Sequence, residues 1–296
     1  MKKNDFLNHY FEKRKSLIFR YFLAFLLIIF AFWILIDKSS SENFIAKIYL
    51  NGVINDRSSL IKKINKLKED SKVKGLLLVT NSPGGTFVSS KEIFDTLKRI
   101  SEKIPTATYI REIGTSGAYL ASLGTDRIFV NYGSITGSIG VILQTANLKN
   151  LLENLGIEPI VIKSGDLKAV PNPFEELDQN KINYVSEVID QMQNQFLQIV
   201  KERRNLKDNE IEKISDGRIF TGTQAIKLNL IDEIGSEDDA ANWIKKEGGL
   251  DEDTKLIEFD DNEKYLEFLN LNFFKKSFNS FNLNINNGIL AIWTLN

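Results

Sequence analysis

The sequence predicts an α/β fold preceded by one N-terminal transmembrane helix, and three observations carry that reading. Residues 21–36 (YFLAFLLIIFAFWILI) run for sixteen positions without a charge. Beyond them, apolar and β-branched runs alternate with segments of helical period, the order that stacked βαβ units require. One of those runs, residues 75–80 (GLLLVT), is almost continuously apolar, as a strand buried on both faces of a parallel sheet must be.

The charge-free run reaches about the twenty residues of a bilayer core once Leu17, Ile18 and Phe19 are added across Arg20. Arg20 can snorkel to the headgroups, and Tyr21 and Trp33 suit the two interfaces. Lys2, Lys3, Lys13, Arg14, Lys15 and Arg20 precede the run, whereas Asp37 and Lys38 follow it. The positive-inside rule then leaves the N-terminus in the cytoplasm and the rest of the chain outside. No A-x-A-like site follows, which favours an uncleaved anchor over a signal peptide. The expected division is a cytoplasmic tail (1–16), an anchor (17–36), a linker (37–43), a main domain (44–250) and a C-terminal extension (251–296).

Within the main domain, residues 46–54 (AKIYLNGVI) read as a strand ending near a turn. Residues 60–68 place apolar side chains at 60, 61, 64 and 67, a helical period. The 75–80 strand is closed by NSPGG at 81–85, and a helix with Ile93, Leu97 and Ile100 on one face follows. Residues 106–110 and 127–130 read as strands flanking a short helix over 116–123. A helix over 148–155 precedes a strand over 159–162 (PIVI), and a long helical pattern covers 175–204 with Ile182, Val185, Ile189 and Met192 on one stripe. Past 251 the period disappears. The acidic clusters there lack the spacing and glycine of a calcium loop and read as solvated surface. The apolar stretch 288–293 (GILAIW) reads as packing on this chain or a neighbouring copy.

Two absences limit the chemistry. With no cysteine, disulfides, thiolate nucleophiles and Cys-ligated metals are excluded. The one histidine, His9, lies on the far side of the anchor, so neither a zinc site nor a Ser-His-Asp triad can be assembled beyond it. Near balance between 38 basic and 39 acidic residues argues against a nucleic-acid partner.

Among the remaining groups, residues 114–118 (GTSGA) form a small-residue turn between strand and helix that can expose the Ser116 hydroxyl at a helix start. Ala118 stands where the G-x-S-x-G elbow has glycine. The paired glycines Gly84 and Gly85 let backbone approach a ligand closely, as also in a plain turn. No P-loop occurs, so nucleotide binding has no support. Lys168 is by itself one basic side chain among many, although a lysine can replace histidine as base when desolvation favours its neutral form. With imidazole absent, a Ser-Lys pairing is the simplest remaining way to activate a serine.

Five stretches in order resemble the signal peptide peptidase A (SppA) family, in its short single-unit bacterial form: NSPGG at 81–85, TSGAY at 115–119, TGSIG at 136–140, KSGDLK at 163–168 and DGRIFTG at 216–222. The resemblance spans roughly residues 46–240. It implies a Clp protease/crotonase-like fold with the active site at an oligomeric groove. It places the nucleophile on Ser116, the base on Lys168, a serine that hydrogen-bonds that base on Ser138, and oxyanion donors on the Gly85 and Gly117 amides. It further implies a serine peptidase of the bacterial inner membrane, its catalytic domain extracytoplasmic, cutting remnant signal peptides and other hydrophobic peptides as a homo-oligomer, with no metal or cofactor. Crotonase relatives bind acyl-CoA at similar turns, but that needs a cytoplasmic cofactor. The alternative is a catalytically inactive crotonase-like scaffold in a membrane quality-control complex. Three positions depart from the family pattern: Ala118 for a second glycine, Ala169 for an acidic residue after the base, and Asn229 for glycine in an L-G-L, where asparagine tolerates the left-handed backbone.

Overall fold

The computed structural model describes residues 21, 22, 24–27, 43–259 and 290–292. The chain divides into two compact units, Met1–Asn43 and Phe44–Asn296. Of the first, the described residues are helical at 21, 22 and 24–27, with Tyr21, Phe22, Phe25, Leu26 and Leu27 exposed. The remainder of the expected 17–36 span lies outside the described residues, among which no helix is long and apolar enough to cross a membrane.

The second unit begins β1 (Phe44–Asn51), α1 (Ser58–Glu69), β2 (Val73–Ser82), β3 (Gly84–Thr86), α2 (Phe87–Ser101), β4 (Thr106–Thr115), α3 (Gly117–Ser122), β5 (Arg127–Val130) and β6 (Ile135–Gly137). It continues with α4 (Lys149–Asn154), α5 (Gln179–Arg204), α6 (Asp208–Ile211), β7 (Ile219–Thr221), α7 (Gly222–Lys227), β8 (Glu233–Ile234), α8 (Glu237–Glu247), β9 (Lys255–Phe259) and β10 (Leu290–Ile292). The main sheet runs β7-β6-β4-β2-β1-β9, with β5 on β4 and β8 on β5. Its pairings are parallel except β6 with β7.

Alternation along the central strands explains their composition. Ala46, Ile48 and Leu50 of β1, with Leu76 and Leu78 of β2, face α1 and α2, where they meet Leu60, Ile64, Leu67, Ile93, Leu97 and Ile100. Ile45, Leu77 and Val79 face the other way, onto Ala240, Ala241 and Ile244 of α8. A strand covered on both sides needs apolar residues at every position, which is why 75–80 carries no sequence alternation. Each of the buried Leu and Ile side chains of α1 contributes about 2 kcal/mol by leaving water.

β4 is shared between two neighbours of the same sheet. Ala107–Ile110 pair with β5, whereas Ile113, Gly114 and Thr115 pair with β6. The change of partner coincides with an irregularity against β2: Thr80 pairs with Ile110, but Ser82 pairs with Gly114, so β4 holds two additional residues there. The end of β4 is thereby kinked from β5 onto β6 before it reaches α3.

Two segments differ from the sequence reading. Residues 159–162 form no strand; Ile160 is 79% and Ile162 94% exposed. A β-branched run becomes a strand only where a neighbour supplies hydrogen bonds, and no described strand lies alongside this one. Residues 255–259, within the tract read as solvated surface, are a strand instead. β9 pairs parallel with β1, and Phe259 stacks on Phe44 with ring centroids 6.0 Å apart. The long helix starts at Gln179, four residues past the expected start, because the Asp178 carboxylate caps it by accepting from the Lys181 amide at 2.9 Å.

Candidate active site

Ser116 sits between β4 and α3 with φ 54 and ψ −122, a backbone conformation that a side chain disfavours. The turn is held because the Ser116 amide donates to the Gly137 carbonyl at 2.8 Å and the Leu120 amide donates to the Ser116 carbonyl at 2.9 Å. The residue is 1% exposed. A sharp strand-to-helix turn of this kind presents the side chain of its central residue, the geometry of a nucleophile elbow.

Ser138 is its neighbour across the ladder. Thr115 pairs with Gly137, so Ser116 and Ser138 each follow one member of the same pair. Ser138 also has a positive φ, 51°, and its amide donates to the Arg218 carbonyl at 2.9 Å. The 216–222 motif acts through β7, whose Ile219 and Phe220 pair antiparallel with Gly137 and Thr136 and hold the Ser138 turn from behind.

Gly85 and Gly117 are brought together from different elements. A methyl group added to Gly117 would lie 3.2 Å from the Gly85 nitrogen and 2.2 Å from Ser90 Oγ. One added to Gly85 would lie 1.9 Å from the Ile54 carbonyl oxygen, so this position admits only glycine. The 81–85 turn is tied to β4 by the Thr115 hydroxyl, which donates to the Pro83 carbonyl at 3.1 Å. Ser82 Oγ in turn accepts from the Gly84 amide at 3.1 Å and donates to the Gly52 carbonyl at 2.6 Å. Two glycine amides and a strained serine therefore share one fixed corner.

Lys168 stands apart from that corner. It lies in the irregular stretch between α4 and α5, its amide donating to the Gly165 carbonyl at 3.1 Å in a local turn. The side chain is exposed, and its ammonium makes no hydrogen bond or ion pair with a described residue. No hydrogen bond joins Lys168 to Ser116 or Ser138 within the single chain. Ala169 next to it has a positive φ, 61°, and Lys163 of the same motif pairs with Glu175. Among the described residues no three His, Asp or Glu side chains gather where a metal could be held.

Residues 98–251, just over half of the chain, match the model of peptidase family S49. The chain belongs to peptidase family S49. Residues 40–127 match the Clp protease model, in keeping with the Clp-like α/β architecture. "Putative protease slr0021" of Synechocystis sp. is 40% identical over 218 residues, covering 73% of this chain and 78% of its own. "Putative signal peptide peptidase SppA" of Enterococcus faecium is 34% identical over 238 residues, covering 76% of this chain and 69% of its own. "Putative protease MJ0651" of Methanocaldococcus jannaschii is 35% identical over 191 residues, covering 64% and 61%. This S49 peptidase is a serine protease of the SppA family in its short form.

Two side chains outside the expected site residues brace this corner of the peptidase. Gln193 of α5 donates from Nε2 to the Ile139 carbonyl at 3.2 Å and to the Ser215 carbonyl at 3.3 Å, joining the turn after Ser138 to the start of the 216–222 motif. A lone glutamine on a long helix carries no periodic or compositional signal. Tyr119 is fully buried behind Ser116, and its hydroxyl donates to the Leu230 carbonyl at 2.7 Å. Burial pushes that phenol well above its ordinary value, so it stays a neutral donor. Its place in TSGAY would have flagged it, because a buried Tyr hydroxyl must find an acceptor.

Proposed function

We propose that this peptidase is a membrane-anchored endopeptidase that hydrolyses remnant signal peptides and other membrane-associated hydrophobic peptides by a Ser116–Lys168 dyad. The reading is carried by the strained Ser116 turn beside the juxtaposed Gly85 and Gly117 backbones. Ser116 Oγ attacks the scissile carbonyl while the neutral Lys168 amine accepts its proton. The Gly85 and Gly117 amides receive the developing oxyanion, each such donor being worth roughly 3–4 kcal/mol in a serine peptidase. The resulting ammonium returns the proton to the departing amine, and the same amine then deprotonates the water that opens the acyl-enzyme. Ser138 holds Lys168 at hydrogen-bonding range through this cycle.

Assembly of the dyad is assigned to a homo-oligomer. The stretch bearing Lys168 exposes Leu155, Ile157, Ile160, Ile162 and Leu167, an apolar surface that packing against another copy would cover. Such packing also dries the amine, and an amine works as a base only when uncharged. The charge-free run at 21–36 supports an inner-membrane anchor with the N-terminus in the cytoplasm and the catalytic unit outside.

Fluorophosphonate labelling followed by peptide mapping tests the nucleophile. The expected result is a single adduct on Ser116, absent from Ser116→Ala. A full-length protein that takes no label on any residue would favour the inactive scaffold. Protease digestion of intact spheroplasts tests topology: protection of the catalytic unit would overturn the outward orientation.

A further inference from the structure

The two glycines whose amides the mechanism assigns to the oxyanion belong to different elements. Gly85 lies in β3, and Gly117 is the first residue of α3. A third residue stands at the contact between them. Ser90, the fourth residue of α2, is fully buried. A methyl group built on Gly117 would fall 2.2 Å from Ser90 Oγ, 3.1 Å from Ser90 Cβ and 3.2 Å from the Gly85 nitrogen. One side chain and two backbones thus meet around a single point, and the Ser90 oxygen bears directly on the Gly117 backbone.

The position of that oxygen is fixed. The Ser90 hydroxyl donates to the Thr86 carbonyl at 2.8 Å. Thr86 directly follows Gly85, and its own amide donates to the Ile54 carbonyl at 2.7 Å. The atom that abuts one proposed donor is therefore tied to the backbone beside the other. Stability does not account for a serine here. Alanine is the better helix former, and a serine bonded back to the carbonyl four residues earlier slightly destabilises its helix. A buried hydroxyl that has exchanged water for a carbonyl adds little net. What the oxygen supplies, and alanine lacks, is bulk held at one place.

We propose that Ser90 is a positioning residue for peptide-bond hydrolysis: its hydroxyl oxygen is the spacer that sets the separation of the Gly85 and Gly117 amides. The inference rests on the assignment of Ser116, Gly85 and Gly117 above. Ser90 touches neither substrate nor reacting atoms and acts through the two backbones. Donors to an oxyanion work by geometry set in advance, at about 2.7–3.1 Å from the oxygen of the transition state. A small shift of one donor therefore weakens transition-state binding and leaves ground-state binding nearly intact. Glycine at 117 has a reason of the same kind, since any side chain there would claim the place of the spacer.

The test compares the full chain with Ser90→Ala, which removes the spacer, and Ser90→Cys, which replaces it by a larger atom. Cleavage of an apolar fluorogenic peptide is measured for all three, and working sites are counted by fluorophosphonate titration of Ser116. Inhibition by a peptidyl aldehyde of the same sequence is measured in parallel, because its tetrahedral adduct carries an oxygen in the oxyanion position. In both variants kcat per titrated site should fall about tenfold with KM within about twofold, and the aldehyde inhibition constant should rise by the same factor. A serine that serves packing alone would lower the melting temperature or the number of titratable sites and leave kcat per site and the inhibition constant unchanged. That result overturns the spacer and leaves the peptidase reading standing. Failure of the wild-type chain to take label on Ser116 overturns that reading and the spacer with it.

Discussion

The Ser116 amide donates to the Gly137 carbonyl at 2.8 Å, just past the Thr115–Gly137 pair that ends the β4–β6 ladder. One backbone bond thus sets the position of the strained serine and of the residue following Gly137. Four consequences can be measured.

Gly117 has no room for a side chain. In Gly117→Ala the new methyl would crowd Ser90 Oγ at 2.2 Å and the Gly85 nitrogen at 3.2 Å. Overpacking of this kind costs about 1–3 kcal/mol. Displacing an amide that the proposed mechanism assigns to the oxyanion is expected to lower kcat by about a hundredfold. Adding Ser90→Ala should recover part of the stability, since the clashing oxygen is gone. An unchanged denaturation midpoint for Gly117→Ala would refute the close approach.

Lys168→Arg should be as inactive as Lys168→Ala, about a hundred- to ten-thousand-fold below wild type. Arginine keeps the charge but does not deprotonate in proteins, so it cannot accept the serine proton. Both variants should melt like wild type, because the Lys168 side chain makes no polar contact with a described residue. An arginine variant retaining a tenth of the rate would exclude the proton-acceptor role.

Tyr119→Phe removes a hydroxyl that serves the Leu230 carbonyl in a fully buried position. Leaving that acceptor unpaired should cost about 1–3 kcal/mol. Urea titration reads it directly. A loss below about half a kcal/mol would show that the carbonyl finds another donor.

The acid limb of stability should contain a contribution from Glu258. Its carboxyl accepts from Lys47 Nζ at 2.8 Å and from the Tyr49 hydroxyl at 2.9 Å, which hold it below its ordinary value. For Lys47, burial opposes the charge, but bonds to Glu237, Glu258 and Tyr49 outweigh burial and raise it. A depressed carboxylate stabilises the fold above its unfolded value, about 4.3, and loses that contribution as pH falls through the folded one. Wild type should therefore exceed Glu258→Gln in stability at pH 7, with the gap closing in acid. Glu258 is 59% exposed, so screening keeps the gap small. A gap that widens below pH 4 would reverse the sign argued here.

Regular elements were legible wherever burial imposed a period. α1 shows Leu60, Ile64 and Leu67 on one face, and the uninterrupted 75–80 run marks a strand covered twice. Residues 159–162 misled because β-branched composition reports preference, and a strand also needs a partner. β9 was hidden for the converse reason: KLIEF is ordinary in sequence and becomes a strand through β1 and the Phe44 stack. The adjacency of Ser116 and Ser138 is a matter of register between two short strands, which spacing along the chain does not encode. Gln193 carries no pattern, since its role lies in two carbonyls 54 and 22 residues away.

The forked strand β4 has a consequence for robustness. Its first half is zipped between β2 and β5 in the middle of the sheet, and its second half carries the elbow. Shifting the Ser116 hydroxyl would mean disturbing a strand paired on both sides, and central strands of this kind are the last part of a fold to open. For the proposed nucleophile, the aim of the attacking oxygen is thus tied to a strand at the heart of the protein rather than to its surface.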